Sequence, residues 1–285
     1  MLAHLMSLVW NALMSPMILF MGYAYESNCI MVLLSLFMTL ALMLNLKSAS
    51  LLLMDFYPSK ATEFPPSPID IDRTMVVTMG HGGPLLWHNY DALPPAIMLL
   101  NNGSTVVMRI LCGPDCKPHL RGGPLCDNYY FVEASFKWGG SEHMISSRRF
   151  ALEMQVLHAK NAPSPPFEYL TISYLFIVTQ CKNKSMQQIT ENLAALVNAG
   201  SVIEVPPFDL CSLFWPFSHG YYSYSGTYDN GTTTLPTQWL ICSSLFTISA
   251  QQVAQFGKLC NREGIHIAAN SRDLVPVGHR QVLLN

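Results

Sequence analysis

The chain has 285 residues, half of them hydrophobic and 12% charged, with a formal net charge of −2. Near-neutrality without a basic run excludes a polyanion-binding surface, so no nucleic-acid partner is expected. The length allows one large domain or two small ones, and charge is unevenly spread: the first charged residue is Glu26 and the next is Lys47.

Residues 5–22 and 29–46 are apolar stretches separated by GYAYESN. Each is about 18 residues, near the lower bound for a membrane span and long for a signal peptide's apolar core. No Lys or Arg precedes either stretch, and Lys47 after the second one argues for holding that end in the cytoplasm. Residues 1–50 are therefore read as an apolar leader with three open forms. It is a signal peptide, a membrane anchor, or an extension upstream of a true start at Met31, where MVLLSLFMTLALMLNLKSAS ends in small residues. The expected location is secreted or at the cell surface, with membrane association through residues 5–46 in the anchored form. Residues 51–63 connect this leader to the proline-punctuated FPPSPIDID (64–72), which opens a single domain over 64–285.

Within that domain, runs rich in β-branched and aromatic residues predict strands. They are TVVMRIL (105–111), YYFVEASFKW (129–138), FALEMQVLH (150–158), YLTISYLFIV (169–178) and WLICSSLFTI (239–248). Two segments have helical spacing instead. In 186–198, Ile189, Leu193, Leu196 and Val197 share a face, with Ser185 as N-cap and Gly200 past the end; in 250–259, Val253, Phe256 and Leu259 do so behind Ser249. The eight cysteines lack paired C-x-x-C spacing and are read as buried free thiols with at most one or two disulfides. Cys112-Gly-Pro-Asp-Cys116 has a spacing that could hold a metal, but two cysteines do not make a site. His81, His88, His119, His219, His266 and His279 offer no chelating pair with a third partner. Sequons at Asn102, Asn183 and Asn230 are glycosylation candidates if the chain enters the secretory pathway.

The ordered succession SPIDI (67–71), LNNG (100–103), RGGPL (121–125), FKWGGSEH (136–143), RFALEMQVLH (149–158), YYSYSG (221–226), ISAQQVAQF (248–256) and GHRQV (278–282) resembles the α-carbonic anhydrases. The resemblance implies an α+β, mainly β fold: a large twisted, mostly antiparallel sheet with peripheral helices. It also implies an ancestry of enzymes that hydrate carbon dioxide with a zinc-bound hydroxide on three histidines. Matched residue by residue, the family's F-H-F-H-W-G strand is Ala134-Ser135-Phe136-Lys137-Trp138-Gly139 here, and its E-x-H-x-x-H is Glu153-Met154-Gln155-Val156-Leu157-His158.

The three ligand positions are thus Ser135, Lys137 and Gln155. A hydroxyl, an ammonium and an amide are poor substitutes for neutral imidazole, so no zinc and no other cofactor is expected. The resemblance also puts Ser104 at the proton-shuttle position and, counted without gaps, Asp229 at the hydroxide-orienting position; a slipped alignment would put Thr232 to Thr234 there. Glu142, His143, Glu153 and His158 match polar residues that the family retains. Lys137 calls for a nearby carboxylate or an anion, with Glu133 or Asp229 as the candidate acids.

The resulting expectation is a catalytically inactive relative of carbonate dehydratase acting as a protein-binding module. The alternatives are the family's zinc-dependent activity, which these residues oppose, a hydrolase using Ser135, which lacks a base, or a pseudogene-like product.

Overall fold

The computed structural model describes residues 65–79, 83–161 and 168–285. The leader (1–50), the connecting segment (51–63), Cys29 and His81 lie outside them. The chain begins with β1 (Asp70–Ile71), β2 (Val77–Thr78), β3 (Leu85–His88), β4 (Ala96–Asn101) and β5 (Val106–Leu111), then a 3-10 turn at Pro114–Cys116. There follow β6 (His119–Gly122), β7 (Leu125–Trp138), β8 (Met144–Ile145), β9 (Arg148–Arg149), β10 (Leu152–Lys160) and β11 (Tyr169–Thr179). The remainder is α1 (Lys184–Thr190), a 3-10 turn at Leu193–Leu196, β12 (Val202–Val205), α2 (Leu210–Phe214), β13 (Tyr221–Asp229), β14 (Thr234–Ser249), α3 (Ala250–Phe256) and β15 (Leu283–Leu284).

Among the described residues, twelve strands form one sheet whose main path runs β12-β4-β5-β7-β10-β11-β14-β13-β15-β2, with β6 bridging β7 to β3. Among the described residues, β11 against β14 and β15 against β2 are parallel in this sheet, and its other pairings are antiparallel. The architecture is the mainly β, α+β sheet with few helices that the sequence implies.

Period-two alternation gives the sheet two different faces. Leu152, Met154 and Val156 of β10 join Ile172, Tyr174 and Phe176 of β11 in one core, which also takes Met186, Leu210, Phe214 and Phe256 from the helices. Leu157, Leu175, Tyr224, Trp239 and Ile241 face the other way, into a core completed by Ile69, Ile71 and Val282 near the two ends of the domain. The polar residues of the candidate site lie on this second face.

Both predicted helices exist, with one corrected boundary and one break. Asn183, not Ser185, caps α1: its side chain accepts from the Met186 N–H at 2.9 Å. The helix stops early because the Asn192 amide donates to the Gln188 carbonyl at 2.8 Å, the acceptor its own backbone N–H would use in an α-helix. That N–H turns instead to Ile189 at 3.1 Å, and a 3-10 turn follows. Ser249 caps α3 as predicted, in a reciprocal box with Gln252. The seven described cysteines are free thiols, but only Cys242 and Cys260 are buried, while Cys116, Cys126 and Cys181 are exposed. Among the described residues no helix is long and apolar enough to cross a membrane.

The Trp-Gly-Gly turn after β7 depends on Gly139. Its φ is +72°, and a Cβ there would lie 2.3 Å from the Ala269 Cβ. At Gly200 φ is +85° with nothing within 4 Å. Gly200→Ala is therefore expected to cost only backbone strain, ~1–2 kcal/mol, whereas Gly139→Ala adds a clash worth ~1–3 kcal/mol more. Urea unfolding of both variants measures the difference.

Candidate functional site

The site is built on the register of three adjacent strands. Ser135 and Lys137 of β7 lie opposite Gln155 and Glu153 of β10, and Gln155 lies opposite Ser173 of β11. Opposed residues of an antiparallel pair share a face, so Glu133, Ser135, Lys137, Glu153, Gln155 and Ser173 form one polar strip. The structure therefore brings Ser135, Lys137 and Gln155 together. It also buries them: Lys137 is 3% exposed, and Ser135 and Gln155 are fully enclosed.

Glu142 organises this strip. The Lys137 ammonium lies 3.1 Å from its Oε1. Arg272 donates Nε to Oε1 at 2.9 Å and Nη2 to Oε2 at 2.8 Å, and the Gln155 Nε2 donates to Oε2 at 2.9 Å. Burial raises the Glu142 pKa, but the Lys137 charge and the Arg272 fork outweigh it and hold the carboxyl well below the usual range. Lys137 also donates to the Asp229 backbone carbonyl at 2.7 Å.

The carboxylate partner of Lys137 is thus Glu142, and neither Glu133 nor the Asp229 side chain. The Asp229 carboxylate is taken up by its own loop, accepting from the Gly231 N–H and the Thr234 hydroxyl, both at 2.6 Å. Glu133 pairs with Arg109 at 3.0 Å and accepts from the Asn230 amide at 2.6 Å.

Glu153 anchors a second buried chain. It accepts from the His143 Nδ1 at 2.7 Å, the Ser173 hydroxyl at 2.8 Å and the Gln155 Nε2 at 3.0 Å. Burial raises its pKa, but its interaction with His143 leaves the net shift downward. The His143 Nε2 meets the Tyr224 hydroxyl at 2.6 Å, which lies 2.8 Å from the Ser67 Oγ. Two carboxylates flank Gln155, so its NH2 must face them; its Oε1 is left buried without a protein partner.

His158 lies apart from this network, on the opposite face. Its Nδ1 is 3.0 Å from the Val156 carbonyl and must donate, so Nε2 accepts from the Tyr90 hydroxyl. Burial pushes its pKa down to about 3, so the ring is neutral.

A polar cap closes the site from the other side. The Tyr228 hydroxyl lies 3.0 Å from both Glu133 Oε1 and Ser135 Oγ. A carboxylate can only accept, so the single Tyr228 proton goes to Glu133 and Ser135 donates to Tyr228. Asn230 and Tyr228 are 6% and 0% exposed. Ser104 supports the loop behind them: a Cβ on Gly231 would lie 2.2 Å from the Ser104 Cβ, and the Asn102 amide donates to the Asn230 carbonyl at 2.9 Å. Tyr228 and Asn230 therefore cover the polar strip at this point.

Among the sequons, Asn230 is only 6% exposed, so a glycan there would require its loop to open, whereas Asn102 and Asn183 are partly exposed. The Asn183 amide donates to the Thr247 carbonyl at 2.8 Å.

Zinc does not fit these residues. Ser135 shares its hydroxyl with Tyr228, Gln155 directs its nitrogen at carboxylates, and Lys137 is an ion-paired ammonium with no lone pair to donate. Among the described residues no group of three or more His, Cys, Asp or Glu side chains is arranged around a metal position. Ser135 also lacks a neighbouring histidine base, as a hydrolase would need.

Residues 56–285 match the family described as eukaryotic-type carbonic anhydrase. The chain is 31% identical over 184 residues to carbonic anhydrase 1 of Oryctolagus cuniculus, covering 59% of this chain and 78% of that protein. It is 27% identical over 239 residues to carbonic anhydrase 15 of Mus musculus, covering 76% and 74%. The chain belongs to the eukaryotic-type carbonic anhydrase family.

Tyr228, Arg272 and Ser173 were not singled out from the sequence. Ser173 had a signal, since it sits in a predicted strand. Arg272 had none, because it reaches Glu142 from a segment 130 residues away.

Glu142→Gln is expected to cost ~3–5 kcal/mol, because it strands two buried cations. Lys137→Met should cost less, because Arg272 still satisfies Glu142; urea denaturation ranks the two. His158 gives a separate pH signature. Its folded pKa lies below the ordinary value near 6.5, so its contribution is complete above that pH and is lost as pH falls toward about 3. The stability gap between wild type and His158→Gln should shrink by ~1.4 kcal/mol per pH unit between pH 6 and 4.

Proposed function

We propose that this carbonic anhydrase-family domain is non-catalytic and acts as a secreted or cell-surface protein-binding module. The carrying observation is Lys137: a buried ammonium, ion-paired to Glu142 at 3.1 Å, on the strand position where the family resemblance calls for a zinc ligand. Ser135 and Gln155 stand at the other two ligand positions, Ser104 at the shuttle position and Asp229 at the hydroxide-orienting position. Only a metal brings the pKa of bound water near neutrality, and this donor set offers a dication a fixed positive charge instead.

The two apolar stretches and the sequons at Asn102 and Asn183 support an extracellular or membrane-anchored setting. A protein partner fits a domain whose polar strip is covered by Tyr228 and Asn230, leaving its outer surface for recognition. Zinc-dependent carbonate dehydratase activity would require Lys137 to leave its ion pair and lose its proton.

Metal analysis of the purified full chain, with stopped-flow carbon dioxide hydration, tests this. Zinc far below one per chain and no rate above the buffer are expected. Stoichiometric zinc with turnover would overturn the reading.

A further inference from the structure

The Cys112-Gly-Pro-Asp-Cys116 segment plays no part in the site described above. It forms an exposed turn between β5 and β6, closed by the 3-10 turn at Pro114–Cys116. The Cys116 N–H and thiol both point back at the Gly113 carbonyl, at 3.3 Å and 3.4 Å. The Asp115 and Lys117 carbonyls accept from the Asn89 amide at 3.2 Å and 3.4 Å, so the turn is pinned to the end of β3. The Cys116 thiol thus sits against Gly113, the residue that follows Cys112, and the two thiols are near enough for Cys116 to raise the Cys112 pKa. The turn is open to solvent at Gly113, where nothing lies within 4 Å of a placed Cβ.

We propose that Cys112 and Cys116 form a reversible intrachain disulfide, making this turn a thiol–disulfide switch. A disulfide needs Cβ atoms about 3.5–4.5 Å apart, and the short exposed turn that joins the two cysteines has to bring them there. Cys116 reacts first, since it is exposed while Cys112 is partly covered.

Burial and the neighbouring thiol push the Cys112 pKa up to about 11, which makes Cys112 a poor initial nucleophile. The Cys116 thiolate attacks a low-molecular-weight disulfide such as oxidised glutathione, forming a mixed disulfide and releasing one glutathione thiolate. The Cys112 thiolate then attacks the Cys116 sulfur, forming the intrachain bond and releasing the second. Two protein thiols lose two electrons, the glutathione disulfide gains them, and the two protons pass to the released thiolates. The bridge fixes the carbonyls that hold Asn89, so oxidation stiffens this edge of the domain. The proposal does not depend on the absence of zinc or of catalysis.

The full chain is equilibrated in glutathione buffers of graded ratio, its remaining thiols are blocked by alkylation, and peptides spanning 110–121 are analysed by mass spectrometry. A bridged peptide lighter by two hydrogens is expected. Cys112→Ser should accumulate a glutathione adduct on Cys116, and Cys116→Ser should leave Cys112 reduced. The folded turn should raise the bridging equilibrium about tenfold over the same chain in urea, through effective concentration. Two alkylated thiols at high oxidised glutathione, or equal bridging in urea, would overturn the proposal.

Discussion

The centre of this domain depends on keeping Glu142 ionised while it is fully buried. An isolated carboxylate in such a place would take up a proton, because desolvation disfavours the charged form. Lys137, Arg272 and Gln155 prevent that by covering both oxygens. Each partner comes from a different part of the chain: Lys137 from the end of β7, Gln155 from β10 and Arg272 from the long irregular segment before β15. One carboxylate thus ties two central strands to the C-terminal region. The strain-prone turn at Gly139 and Gly140 places Glu142 where all three can reach it.

Charge bookkeeping in the strip explains why it tolerates burial. Lys137 and Arg272 balance Glu142 and Glu153, with His143 bonded to Glu153 and Arg109 balancing Glu133 nearby. Exchanging buried ion networks for apolar packing is often neutral or stabilising, so this one is not evidence of high stability. Its effect is better described as specification: each acid has fixed donors, and each donor has a fixed direction. The exception is the Gln155 Oε1, whose two neighbours demand the opposite end of the amide. That orphan lies between Glu142 and Glu153, where one amide nitrogen has to serve two carboxylates.

Much of this was legible in the sequence because strands have a period of two. Ser135 and Lys137 had to share a face, and Gln155 and Glu153 had to share one on another strand. What period alone cannot give is which face meets which, or what arrives from a distance. Glu133 was a reasonable partner for Lys137 because it lies on the same face of the same strand. It loses to Glu142 because Arg109, Tyr228 and Asn230 already engage it, and none of those contacts is local in sequence. The break after α1 was hidden for a different reason: the apolar spacing continues through Leu196, and only the Asn192 side chain interrupts the hydrogen-bond ladder.

The closure of the site follows from the same chemistry. A catalytic metal pocket must keep one direction open for water or substrate, whereas a buried ion pair gains strength as water is excluded. Tyr228 and Asn230 exclude it here, and their own polar atoms are satisfied by Glu133 and Ser135 rather than by solvent. The Lys137 ammonium and the Tyr228–Asn230 cap therefore form a consistent pair. With an open pocket, Lys137 could swing toward water; with a capped one, it must keep Glu142 and the Asp229 carbonyl as partners.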